Sequence, residues 1–164
     1  MPRIYTVEFD NITLTNAGSD FDIFEFTPAR DKPIELLSVE LSNFSDLSDA
    51  QEEVLRLRVV RGHTTSGSTP GATPTPAPIS PNDSAAGFTV EVMNSTIASA
   101  GTAVNLWTNG WNIRSPGPIF PPLPQGYGYW CGTAATQPLL VVRCLSTATD
   151  DISLSGCATL CEYP

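Results

Sequence analysis

The single histidine of the chain limits the catalytic sites that it can build. His63 ends a strand-like segment and is followed by Thr64 and Thr65. A cupin-type metal centre needs two or three imidazoles, and a Ser-His-Asp site would have to use this residue. A histidine at a strand end more often bonds a nearby backbone group or contacts a neighbour. The sequence therefore predicts a protein that is not an enzyme and that needs no metal ion or cofactor.

Carboxylates offer two further kinds of site. Asp46, Asp49, Glu52 and Glu53 cluster at residues 46–53, where a short helix is the sole helix candidate. The cluster lacks the alternating oxygen ligands and central glycine of a calcium loop, which favours a solvated acidic turn. Paired carboxylates for glycoside hydrolysis stay open, because partners on distant strands cannot be placed from sequence.

Four cysteines lie in the C-terminal part of the chain and are candidate disulfide partners: Cys131, Cys144, Cys157 and Cys161. None forms a CxxC pair, so a zinc site would need four cysteines at unusual spacing. In a reducing cytoplasm they are expected to be free thiols, and bridges would have to form after release into an oxidising medium.

One hairpin register would pair these cysteines. If residues 150 and 151 form the last turn, Cys144 lies opposite Cys157, which leaves Cys161 for Cys131. In a regular strand Cys157 and Cys161 would be about 13 Å apart, too far to bridge each other.

The aromatic side chains of the second half are candidates for a contact surface: Trp107, Trp111, Tyr127, Tyr129 and Trp130. They could form a stacking platform for sugar rings or a belt at a protein interface. A third alternative is that they pack beneath the Pro-rich loop of residues 115–125 and close one end of the fold.

Eight segments alternate apolar and polar residues or are rich in β-formers: 4–14, 21–27, 34–44, 54–63, 88–97, 103–113, 139–146 and 152–163. Half-buried antiparallel strands have this pattern, and crossover helices for a parallel sheet are lacking. The sequence predicts an all-β fold: one antiparallel β-sandwich or jelly-roll-like domain of about eight strands, spanning residues 1–164 and carrying long Pro-rich loops.

Residues 64–84 interrupt this pattern with five prolines and almost no apolar side chains. Such a segment can form neither helix nor β-ladder. It is expected to run as an extended arm of about 60 Å, at roughly 3.1 Å per residue, or else to be a solvated disordered loop. The arm is predicted to be loosely held in the isolated protein and ordered against neighbouring subunits. Its candidate inter-subunit contacts are Thr64, Thr65, Pro70, Pro74, Pro76, Pro78 and Pro81.

The charge and the N-terminal residues argue against two classes of partner. The formal net charge is -9, with one Lys and seven Arg that are scattered apart from Arg56, Arg58 and Arg61, so the protein is not expected to bind nucleic acid. The chain begins without a signal-like apolar region and has no run long enough to span a membrane. It is expected to be soluble, made in the cytoplasm and unattached to a membrane.

Several segments resemble small proteins encoded in the structural gene regions of tailed bacteriophages: RIYTVEF at 3–9, DAQEEVLR at 49–56, RGHTTSGS at 61–68, PNDSAAG at 81–87 and TVEVMNST at 89–96. The resemblance covers most of residues 3–114 and about 139–156. The family has no catalytic motif to carry over. The four cysteines and the 115–125 insert depart from its pattern.

The resemblance implies a virion structural protein that is made in the host cytoplasm and located on the head surface. A capsid decoration or cement protein fits best. Such proteins commonly sit as trimers on head lattices, so the implied partners are the major capsid protein and copies of this chain in a homotrimer. The alternative is a tail or fibre β-sandwich that binds host glycans through Trp107, Trp111 and Trp130.

Overall fold

A computed structural model describes residues 1–14, 19–43, 54–115, 117–132, 138–145 and 151–164. These residues form eleven strands and no helix, so nothing in the described ranges is a helix that could cross a membrane. The strands are β1 (Arg3–Leu14), β2 (Phe21–Thr27), β3 (Ile34–Asn43), β4 (Val54–His63), β5 (Ala77–Pro78), β6 (Thr89–Asn94), β7 (Val104–Asn112), β8 (Gly117–Pro118), β9 (Tyr129–Cys131), β10 (Leu139–Cys144) and β11 (Ile152–Glu162).

Each of the eight predicted segments contains one of the longer strands, and the ends differ by a few residues. The three additional strands, β5, β8 and β9, are two or three residues long and lie within or just after the Pro-rich segments. The expectation that residues 64–84 form no ladder was therefore wrong. Proline fits β5 because an edge strand does not need every N–H group. The helix candidate at 46–53 lies outside the described residues.

The strands form two antiparallel sheets. Sheet A has the order β5-β1-β11-β3-β8, with β9 also paired to β3, and sheet B has the order β6-β2-β10-β4-β7. The prediction of an all-β antiparallel fold is confirmed.

One large hydrophobic core contains buried side chains from both sheets. Alternation places Tyr5, Val7 and Phe9 of β1 in this core, as period-2 strands require. Phe9 meets Phe24 of β2 edge-on, with ring centroids 5.2 Å apart. The core thus holds the two sheets together.

Candidate interaction surfaces

The arm, residues 64–84, folds back along its own domain. Its residues pair with the chain that leads out of β6, with β6 itself and finally with β1: Thr65 with Ser99, Ser68 with Thr96, Ala72 with Val92, Ala77 with Thr6 and Pro78 with Tyr5. Strand β6 is an edge of sheet B, and β1 is joined by β5 at the edge of sheet A. The arm therefore crosses from one sheet to the other along one side of the molecule.

A buried carboxylate anchors the beginning of the arm. Glu25 of β2 is 1% exposed, and its Oε2 accepts hydrogen bonds from the Gly67 amide at 3.0 Å and from Asn94 Nδ2 at 3.2 Å. The Ser66 hydroxyl donates to Oε1 of the same carboxylate. A side chain at Gly67 would overlap the carbonyl oxygen of Thr96, so the close approach requires glycine here.

The far end of the arm is held on β1. The Ile79 amide donates to the Ile4 carbonyl at 3.0 Å, and the Tyr5 hydroxyl donates to the Ser84 carbonyl at 3.0 Å. The Arg3 guanidinium donates to the Ser84 hydroxyl. The expectation that the arm is loosely held was wrong, because hydrogen bonds to the domain supply the attachment that its few apolar side chains cannot.

The middle of the arm presents alternate residues to the domain and to solvent, as an extended chain does. The half-buried side chains are Ala72, Pro74, Pro76 and Pro78. The exposed side chains, which we name the arm ridge, are Thr73, Thr75, Ala77 and Ile79. Ile79 is 60% exposed and is the large apolar side chain of the ridge. Among the other predicted contacts, Thr64, Thr65, Pro70 and Pro81 are also exposed.

The Pro-rich loop of residues 115–125 runs beside β3, and Pro116 lies outside the described part of it. The Ile119 amide donates to the Val39 carbonyl at 2.7 Å, and the Leu123 amide donates to the Leu37 carbonyl at 2.9 Å. Ile119 and its neighbour Phe120 are buried. The loop therefore occupies this edge of sheet A, which would otherwise present unpaired backbone groups.

Three of the predicted aromatic contacts pack into the domain. Trp107 lies edge-on to Phe120 with centroids 5.6 Å apart, and Phe120 meets Tyr129 at 5.2 Å. Trp111 is buried, and its Nε1 donates to the Ser115 carbonyl at 2.9 Å. These three residues therefore pack against the Pro-rich loop of residues 115–125, as in the third alternative considered from the sequence.

The other two aromatic contacts differ in their exposure. Trp130 packs on Tyr163 with centroids 4.5 Å apart, whereas Tyr127 is 78% exposed. Sequence reasoning missed the buried Glu35, which accepts hydrogen bonds from the Gly126 amide at 2.8 Å and from the Tyr163 hydroxyl at 2.6 Å. Burial, assisted by this bond to Glu35, raises the pKa of Tyr163 above its usual value. The five predicted aromatics therefore do not form one continuous platform.

The second missed group is a buried ion pair. Arg143 Nε donates to Asp22 Oδ1 at 2.6 Å, and the two side chains are 9% and 0% exposed. Ala98 joins the pair: its amide donates to Asp22 at 2.7 Å, and its carbonyl accepts from Arg143 at 2.8 Å. The pair thereby fastens the chain after β6, to which the start of the arm is bonded. Its three parts come from distant positions, so no local pattern reveals it.

His63 behaves as the sequence indicated. It is 9% exposed, and its Nδ1 lies 3.2 Å from the Ala100 carbonyl oxygen. The expected bond between this strand-end histidine and the backbone is confirmed.

All four cysteines are free thiols in the structure. Cys144 belongs to β10 in sheet B, where it lies opposite Phe21 and Leu57. Cys157 belongs to β11 in sheet A. The predicted hairpin register between Cys144 and Cys157 is therefore wrong. The alternation of a strand shows which side is buried, and it does not show which sheet the strand joins.

Cys157 lies on the outer face of sheet A, directly between two carboxylates. It pairs with Glu8 of β1 on one side and with Glu40 of β3 on the other. A groove of about 680 Å³ runs over this face. We name it the acidic groove and define it by Glu8, Asp10, Glu40, Ser155 and Cys157.

We expect Cys157 to be the one thiol that a small reagent modifies readily in the folded protein, because Cys131, Cys144 and Cys161 are buried. Burial and the charges of Glu40 and Glu8 raise the pKa of Cys157 above its usual value. A raised pKa means less thiolate at pH 8, so modification should be slower than that of free cysteine and should accelerate as pH rises. Mass-mapped alkylation at several pH values measures this. Equal modification of all four thiols would contradict it.

Comparisons with known proteins add little to this description. No protein-family model matches the chain, and no curated protein matches it. The chain is similar to the infectious bursal disease virus VP2 subviral particle, with 13% identity and a TM-score of 0.23 over 99% of this chain and 42% of that one. It is also similar to T=1 particles derived from infectious bursal virus, with 14% identity and a TM-score of 0.13 over 99% and 41%. The chain thus spans about two fifths of the length of either.

Proposed function

We propose that this chain is a virion structural protein of a tailed bacteriophage that binds the outside of the assembled head and stabilises it. In this role it is a capsid decoration or cement protein. The observation that carries the proposal is the arm, which is bonded to its own domain at both ends and presents an exposed ridge between them.

An arm that is already ordered in the free protein is suited to binding, because it loses little conformational entropy when it contacts a partner. Fixing one backbone residue costs about 1–2 kcal/mol, so an arm that had to order on contact would lose much of its affinity. The arm ridge carries small side chains around the exposed Ile79, and it can lie flat against a neighbouring subunit. Repetition over a lattice turns such modest contacts into firm attachment.

The strand pairing supports a jelly-roll β-sandwich as the carrier of this arm. Four antiparallel pairs are nested along the chain: β1 with β11, β2 with β10, β3 with β8, and β4 with β7. A jelly roll has this nesting, since it is a double ribbon wound into two sheets. The arm, β5 and β6 are then an insertion between β4 and β7, at the tip of the ribbon.

We further propose that the partners are the major capsid protein and copies of this chain in a homotrimer. The role needs no catalysis, cofactor or nucleic acid. A net charge of -9 fits a protein that stays soluble before assembly and avoids the packaged genome.

The proposal is tested by deleting the gene from the virus that encodes the chain. Heads should still assemble, but they should open at a lower temperature, because a protein that binds only the assembled state stabilises it by mass action. Added purified protein should restore heat resistance, and Ile79→Asp in the arm ridge should restore less than Asp31→Asn, a change at an exposed site elsewhere.

Three outcomes would contradict the proposal. Heads that fail to form would make the chain a major structural subunit. A copy number in purified particles that matches the tail instead of the capsid lattice would place it elsewhere in the virion. Unchanged heat resistance would favour the glycan-binding alternative, in which Trp107→Ala or Trp130→Ala lowers adsorption to host cells.

A further inference from the structure

The outer face of sheet A carries an unbalanced charge. Opposite charges on adjacent strands stabilise each other, and like charges directly opposite are destabilising. The described outward-facing side chains of β1, β11 and β3 include no Lys or Arg in the stretch that faces the acidic groove: Thr6, Glu8, Asp10, Ser153, Ser155, Cys157, Thr159, Ser38, Glu40 and Ser42.

The carboxylates of this face differ in how they are held. Asp10 Oδ1 accepts a hydrogen bond from the Ser155 hydroxyl at 2.6 Å, which fixes its position beside the bulge in β1. Glu8 and Glu40 are exposed and lie on opposite sides of Cys157. Adjacent strands are about 4.8 Å apart, so these two carboxylates stand roughly 10 Å from each other across β11. Their combined field is the one that acts on the Cys157 thiol.

The face is also concave. Gly156 of β11 faces the core side, where it lies opposite Phe9 and Leu41, and these three residues line the groove between the outward-facing side chains. Gly117 of β8 at the neighbouring edge has nothing within 4 Å of its missing Cβ. The groove has a volume of about 680 Å³, which is within the range of ligand-binding clefts.

We propose that the acidic groove binds a cationic segment of a partner protein, an extended stretch in which Lys or Arg side chains meet Glu8, Asp10 and Glu40. Charge complementarity selects this occupant: a groove that carries Glu8, Asp10 and Glu40 on a chain of net charge -9 attracts cations and repels acidic partners. Guanidinium groups suit it best, because they pair with carboxylates through two parallel hydrogen bonds. The inference is independent of the virion assignment.

The test uses the full chain and a fluorescent synthetic peptide in which four Arg residues alternate with Gly and Ser. Fluorescence anisotropy should detect binding at low ionic strength. The double change Glu8→Gln and Glu40→Gln should weaken it about tenfold, the size expected for two partly screened charge pairs. Raising NaCl from about 0.05 to 0.5 M should weaken it further. Bound peptide should protect Cys157 from alkylation.

Asp20→Asn with Asp31→Asn is the matched control, because it removes the same charge away from the groove and should leave affinity within about twofold. A second peptide with Gln in place of Arg should not bind. The proposal is overturned if the wild-type protein fails to bind the Arg peptide at low salt, or if the Gln peptide binds as tightly as the Arg peptide. It is also overturned if the groove variant binds as tightly as wild type, or if the control variant loses as much affinity as the groove variant. Thermal melts of both variants verify that they are folded.

Discussion

Arg143→Leu should lower the free energy of unfolding by about 3–5 kcal/mol, the cost of leaving a buried charge without its partner. Asp22 is fully buried, and the Arg143 guanidinium bonds both of its carboxylate oxygens, at 2.6 and 3.1 Å. Leucine would fill part of the space, but among the described residues it would leave the carboxylate with only the Ala98 amide as a hydrogen-bond donor. Urea unfolding followed by Trp fluorescence measures the loss.

Two further variants separate charge from packing. Arg58 lies on the neighbouring strand, and its Nε donates to the Thr108 hydroxyl at 3.3 Å. Arg58→Leu should lower the free energy of unfolding by less than about 1 kcal/mol. Adding Asp22→Asn to Arg143→Leu should recover part of the lost stability, because the unpaired charge is then removed. A cost of Arg143→Leu similar to that of Arg58→Leu would show that the pair contributes little.

The pair also bears on what could be predicted from sequence. Alternation located the eight long strands because burial of one face leaves a period of two in the residue types. It also identified the inward face of β1. In β10 every residue is buried, since Leu139 and Val141 on its outer side are covered by Ala98. The local sequence of β10 does not predict that its outer side is buried, because the covering residue, Ala98, is far away in the sequence.

The conformation of the arm could be predicted from its sequence, but its attachment to the domain could not. Its composition predicted an extended conformation, and the structure has one, because prolines fix φ wherever they stand. Its attachment was not predictable, since Glu25 lies more than forty residues from the Ser66 and Gly67 that it bonds. The predictions for the aromatic side chains and the cysteines were incomplete for a related reason. Residue type indicates a tendency to be buried, but only the sheet order shows which strand a buried side chain packs against.

Gly67→Ala should release the beginning of the arm. An added Cβ would overlap the Thr96 carbonyl oxygen, which is backbone and cannot move aside cheaply, so the local cost is expected to be roughly 1–3 kcal/mol. The bonds from Ser66 and from the Gly67 amide to Glu25 would then be lost together. Limited proteolysis within residues 64–84 should become faster by about tenfold or more, because cleavage follows the population of the opened arm.

Gly132→Ala is the matched control, because nothing lies within 4 Å of its added Cβ. Glu25→Gln tests the anchor from the other side. It keeps the shape of the side chain, but it weakens the acceptor of three hydrogen bonds, so amide exchange at Gly67 should accelerate. Unchanged proteolysis in both Gly67→Ala and Glu25→Gln would show that Glu25 does not hold the arm.

Release of the arm should also weaken binding to heads, which links this prediction to the proposed function. Each arm residue that must order on contact costs about 1–2 kcal/mol, so freeing even a few residues should lower affinity for gene-deleted heads by tenfold or more. The domain itself should stay folded, because the main core of both sheets lies apart from the arm's first residues. Sedimentation of heads with each variant measures the loss. A Gly67→Ala protein that is cleaved rapidly yet binds heads as wild type does would show that a surface other than the arm makes the contact.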